Sequence, residues 1–218
     1  MTGPGDVLAA SEPVRLRLQE RHRAREVGLA ASRDAIRAAA NAIRAVHRGD
    51  DDTAERLLTD AAGDLDRAVN ACEGHPTVLH AGFVADAAKE VAEAVLSRAA
   101  IAGDPLPDAD AAGVDDVAWL HGLAETVGEL RRAALDRLRR ADLAGAERCL
   151  ALMEDILTAL ATIDVPDGLT RGLRRAADAA RAITERTRGD VTVAAGQEQL
   201  RRALDAHRAT VEGGVPGS

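Results

Sequence analysis

Between Trp119 and Arg140 the chain reads WLHGLAETVGELRRAALDRLRR, and the spacing of its apolar residues leaves little choice of local structure. Leu120, Leu123, Val127, Leu130, Ala134 and Leu138 recur at steps of three and four, which stacks them into one stripe on a long helix. Glu125 and Glu129 stand one above the other away from that stripe, with Asp136 near the same line. Gly122 shares their face. A glycine inside a helix costs about 1 kcal/mol relative to alanine, so Gly122 and Gly128 point to a close approach by another helix or by a bound ion with its ligand. Two carboxylates one turn apart repel each other. Partial burial raises that cost, and a divalent cation removes it.

The same helical period runs through most of the chain. From Glu12, with Pro13 in the first turn, nothing breaks the pattern before Gly49, and Gly28 interrupts the apolar side where a bend is allowed. Thr53 is expected to cap a second helix that runs to Cys72. A third follows Pro76 and ends at Gly103; Val84, Ala88, Val91 and Val95 line one face, while Asp86, Glu90 and Glu93 form a separate acidic strip. Residues 104–113 form a loop rich in Pro and Asp before the central helix. Further helices are expected over 143–163, 167–188 and 192–211, with Gly189 and Asp190 closing the sixth. The prediction is an all-α fold of seven long, mostly antiparallel helices, with one domain over 12–211 and flexible tails at 1–11 and 212–218.

Composition limits the chemistry. A net charge of −8 has the wrong sign for a protein that coats nucleic acid with its whole surface, so any such contact must be local. Lys89 is the only lysine, and the other basic side chains are arginines, whose planar fork suits phosphate. Arg33, Arg37, Arg44 and Arg48 recur along one face of the first helix, either as a solvated face paired with nearby acids or as a phosphate-binding row. Tyr is absent and Phe and Trp occur once each, so base stacking on aromatic platforms cannot dominate. Two cysteines, Cys72 and Cys149, do not make a disulfide framework and point to a reducing, cytoplasmic setting, with no membrane span expected.

No Glu-x-x-His pair supports a dinuclear iron bundle, and Cys72, His75 and His80 lack a fourth ligand for zinc. What remains is oxygen ligation. Glu90 and Glu93 on one helix and Glu125 and Glu129 on the next would suit Mg²⁺ or Mn²⁺ if the two helices pack side by side. Taken from spacing alone, such strips are more often solvated faces.

Several stretches together resemble the translin family, which includes translin, its partner Trax and prokaryotic translin-like proteins. They are NAIRAVHRGD from Asn41 to Asp50, KEVAEAV from Lys89 to Val95, WLHGLAETVGELRR from Trp119 to Arg132, and GLRRAADAARAITERTRGDVT from Gly172 to Thr192, in a match running from Arg25 to Leu204. The second is similar to the Trax pattern QExxEA and the third to YLLGxxDLTGELMR. The resemblance implies a seven-helix protomer in a hollow homo-oligomer, commonly an octamer, that binds single-stranded RNA or DNA. In the Trax branch it implies a Mg²⁺-dependent endoribonuclease site. Carried over by position, the QExxEA glutamates fall on Glu90 and Glu93, the glutamate of GEL on Glu129 and the catalytic aspartate on Glu125, a side chain one methylene longer. Lys89 stands in place of the family Gln and Trp119 in place of Tyr. On this reading Glu90, Glu93, Glu125 and Glu129 hold the metal and serve catalysis, and Arg37, Arg44, Arg48 and Arg132 hold the phosphate backbone. The alternative is a translin-like binding oligomer without catalysis.

Overall fold

A computed structural model describes residues 4–213. These residues form nine helices and, among them, no strand: α1 (Pro4–Arg48), α2 (Asp51–Cys72), α3 (Pro76–Leu79), α4 (Phe83–Ala102), α5 (Ala109–Ala112), α6 (Asp116–Arg139), α7 (Leu143–Ala161), α8 (Asp167–Thr170) and α9 (Leu173–Gly213). The all-α expectation holds, while the helix inventory differs from the expected seven. Three single-turn helices lie in the connections, and the expected sixth and seventh helices are one, α9.

The chain packs as two compact units, one up to Thr126 and one from Val127, so a border falls inside α6 where the sequence suggested a single domain over 12–211. In the first unit α1, α2 and α4 pack on one another around a core rich in alanine. Ala35, Ala39 and Ile43 of α1, Ala61, Leu65 and Cys72 of α2, and Ala87, Val91 and Ala94 of α4 are buried together. Small side chains at these positions let helix backbones approach closely. Gly28 shows how closely: a Cβ there would lie 2.5 Å from Cys72 Sγ and 3.3 Å from Phe83 Cε2. It is a packing position inside a continuous helix, close against Cys72 of α2 and Phe83 of α4.

Local signals explain the ends. Gly49 at φ +72° reverses the chain after α1, and Asp50, rather than Thr53, caps α2 by accepting from the Thr53 backbone N–H at 3.2 Å. Gly82 at φ +103° separates α3 from α4, and Gly103 at φ +82° ends α4 in the left-handed region. At the start of α6, Asp115 Oδ1 accepts from the Val117 and Ala118 backbone N–H groups, and Trp119 Nε1 donates to the Pro107 carbonyl at 3.0 Å. The latter bond ties the Pro- and Asp-rich loop to the helix that follows it.

Of the expected tails, residues 1–3 and 214–218 lie outside the described residues. Residues 4–11 are helical, not an irregular tail, and Pro13 therefore sits inside α1. This upstream arm leaves Val7, Leu8, Leu16 and Leu18 exposed. In the second unit α7 packs on α9, and Asp142 caps α7 by accepting from the Gly145 N–H at 2.8 Å. The chain does not break at Gly189 and Asp190. Thr184, Thr187 and Val191 are buried on either side, and Arg131 donates to Thr187 Oγ1 at 3.0 Å and to Asp190 at 2.9 Å. Those contacts outweigh the penalty of about 1 kcal/mol for one helical glycine.

Candidate functional site

Within the first unit α4 and the start of α6 cross at Gly122. A Cβ on Gly122 would lie 2.6 Å from Ala92 Cβ and 2.7 Å from the Glu93 backbone nitrogen, so only a hydrogen fits between the two helices there. The sequence expectation of a close backbone approach is met at Gly122 by a helix. At Gly128 it is not, since nothing among the described residues lies within 4 Å of a Cβ built there. Thr126, fully buried next to the crossing, satisfies its hydroxyl by donating to the Gly122 carbonyl at 2.9 Å.

This contact determines where the acids go. Glu90 and Glu93 share a face of α4 at i and i+3, and Glu125 lies three residues beyond Gly122 on α6. One carboxylate oxygen from each of Glu90, Glu93 and Glu125 lies within 4.8 Å of the other two. Glu93 is the deepest at 9% exposed, while Glu90 is half-buried and Glu125 exposed. Asp86, the third acid of the α4 strip, is exposed and outside the set.

Glu129 was expected as a fourth member and is not one of the three. It belongs to the second unit, where Arg132 Nη1 stands 3.9 Å away.

A cation already stands among the three acids. Lys89 Nζ lies 2.9 Å from Glu90 Oε1 and 2.8 Å from Glu125 Oε1. Burial disfavours its charged form, but the hydrogen bonds with Glu125 and Glu90, with their negative charge, outweigh that and raise its pKa above the ordinary lysine value. The sequence showed Lys89 as the one lysine and as a replacement for Gln, but not its place between Glu90 and Glu125. The available signal was compositional: the one lysine of an arginine-rich chain comes directly before Glu90.

Oxygen-only ligands at this separation fit a hard divalent cation better than a soft one. Two oxygens on opposite sides of Mg²⁺ stand about 4.2 Å apart, given Mg–O distances of about 2.1 Å. Adjacent ligands stand about 3.0 Å apart, so oxygens lying within 4.8 Å of one another would draw together to hold such an ion.

The arginines are placed unevenly. Arg37 and Arg132 are exposed; Arg37 pairs with Asp34 and Arg132 with Glu129, one turn away in each case. Arg44 donates to the Asn41 side chain. Arg33 and Arg48 are exposed and carry no ion pair with another described residue. The row is thus partly the self-paired face that charge spacing alone allowed.

No protein-family model matches the chain. Uncharacterized protein MJ0175 of Methanocaldococcus jannaschii is 28% identical over 181 residues, covering 83% of this chain and 80% of that protein. Among solved structures, AfC3PO superposes with a TM-score of 0.78 and 35% identity, covering 85% of this chain and 97% of that one. The same protein in complex with duplex RNA matches with a TM-score of 0.76, 35% identity, and coverage of 85% and 96%. NeC3PO, crystallised in its apo form, shares the fold at a TM-score of 0.76 with 16% identity, covering 84% of this chain and 96% of its own. With more than a third of positions shared with AfC3PO over nearly all of that chain, this protein belongs to the translin (C3PO) family.

Proposed function

We propose that this protein binds RNA as a homo-oligomer and, when supplied with Mg²⁺ or Mn²⁺, cleaves single-stranded RNA at the Glu90, Glu93 and Glu125 cluster. The convergence of those three carboxylates within 4.8 Å supports this reading most strongly. Acids on separate helices repel unless a cation accompanies them, and Gly122 keeps the helices close enough for that repulsion to matter. A divalent ion in such a set lowers the pKa of water and offsets charge on a phosphodiester in its transition state. Glu93, held deep against the crossing, would fix one side of the site. Glu125, the most exposed of the three, would accept a proton from an attacking water. Glu129 could enter as a further acid from its position one turn beyond Glu125, in line with the family pattern.

Arg37, Arg44, Arg48 and Arg132 are proposed to hold the phosphate backbone, with Arg48 the readiest because no acid among the described residues occupies it. Assembly is supported by apolar side chains left exposed on α1 and α9, among them Leu8, Leu18, Val193, Leu200 and Leu204. No helix among the described residues is long and apolar enough to cross a membrane.

The competing reading is a binding oligomer without catalysis, and the Lys89 ammonium between Glu90 and Glu125 favours it. Cleavage of labelled RNA with Mg²⁺, compared between the wild type and Glu93→Gln, separates the two. Loss of about a hundredfold or more in the variant is expected; equal rates, or no product from either, leave only the binder. Running single-stranded and duplex RNA side by side tests the strand preference. In both, binding should weaken steeply as salt rises.

A further inference from the structure

We propose that Lys89 is a tethered cation that closes the carboxylate cluster, and that a divalent ion binds only by displacing it. The site would then alternate between a lysine-closed and a metal-loaded state. The inference rests on the proposed metal role of Glu90, Glu93 and Glu125 and adds a competitor built into the chain.

Three observations carry it. The ammonium contacts one oxygen of each of two of the three acids, at 2.9 and 2.8 Å, and its charge opposes entry of a second cation at the same oxygens. Those distances exceed the Mg–O distance of about 2.1 Å, so a lysine-held set is wider than a magnesium-held one, in keeping with oxygens up to 4.8 Å apart. Finally, Lys89 lies next to Glu90 on α4 and reaches across to Glu125 on α6, so its long flexible side chain can swing away without moving either helix. A glutamine at this position, as in the Trax pattern, would leave the acids without a resident charge.

Mn²⁺ binding measured by titration calorimetry on the wild type, Lys89→Met and Lys89→Arg tests the proposal. Lys89→Met removes the charge and should bind Mn²⁺ about tenfold tighter or more than the wild type, as expected for loss of a full charge at this range. Lys89→Arg keeps the charge and should remain weak. Equal affinity in all three overturns the role of Lys89 while leaving the metal site standing. No binding in the wild type with clear binding in Lys89→Met supports the closed state and removes the metal-dependent activity of the wild type. No binding in any of the three overturns the proposal together with the metal reading beneath it. A second measurement needs no variant. Because Lys89 is the only lysine, protein labelled with ¹³Cε-lysine gives one side-chain signal. That signal should move to the position of a solvated lysine as Mg²⁺ is added; an unmoved signal at saturating Mg²⁺ contradicts displacement.

Discussion

Replacing Gly122 with alanine tests the crossing on which the site depends. The added Cβ would stand 2.6 Å from Ala92 Cβ, 2.7 Å from the Glu93 nitrogen and 3.0 Å from the Ala92 carbonyl carbon. Ordinary contact is about 3.5–4.0 Å, so α4 and α6 must separate locally by about 1 Å. Alanine and backbone atoms have no rotamer to change, so the clash cannot be relieved by a side-chain swing. Overpacking of this kind costs about 3 kcal/mol at the upper end of the usual range. The helical preference of alanine over glycine returns about 1 kcal/mol. The net loss of about 2 kcal/mol should lower the midpoint of thermal unfolding, followed by circular dichroism at 222 nm, by about 4–8 °C for a chain of this size. Gly128→Ala, two turns on in the same helix with open space around its Cβ, should instead gain about 1 kcal/mol and rise by about 2–4 °C. If Gly122→Ala stabilises the protein as Gly128→Ala does, the helices do not meet as closely as described.

Other contacts have measurable consequences. Gly28→Ala should destabilise because its Cβ would meet Cys72 Sγ at 2.5 Å, and adding Cys72→Ala should recover much of the loss; a coupling of about 1–2 kcal/mol in a double-mutant cycle is expected, and simple additivity would argue against the contact. Glu198 accepts hydrogen bonds from Arg201 and Arg202, which hold its pKa down to about 2. Its contribution to stability is therefore present above the ordinary carboxylate range and is lost as pH falls towards 2. Carbon-detected NMR should find that midpoint, and 0.5 M salt should raise it because the group is exposed to screening.

Much of the fold was legible because helical period is a strong signal and the chain carries it almost throughout. The apolar stripe of α6 is buried at Leu123, Val127, Leu130 and Ala134, as its spacing required. Errors came where tertiary contacts outvoted local preference. Gly189 and Asp190 read as a stop, yet Arg131 and the buried Thr187 and Val191 carry α9 through them. The start read at Glu12 is a separate case: α1 begins at Pro4, along an exposed arm where no tertiary contact among the described residues decides. Gly28 read as a bend, and only the partner helix reveals it as a contact point.

The candidate site divides the same way. That Glu90, Glu93 and Glu125 lie on the facing sides of two helices was readable from spacing, and Gly122 announced the crossing that brings them together. The place of Lys89 was not, because its contact with Glu125 spans 36 residues of sequence and depends on how α4 and α6 cross.

The central claim is that these three acids form a divalent-cation site. Anomalous diffraction from crystals grown with Mn²⁺ tests it most directly. The account predicts a peak bridging carboxylate oxygens of Glu90, Glu93 and Glu125, with the Lys89 ammonium moved out from between Glu90 and Glu125. Saturating Mn²⁺ with no peak at that place, and Lys89 still bonded to both glutamates, would contradict it.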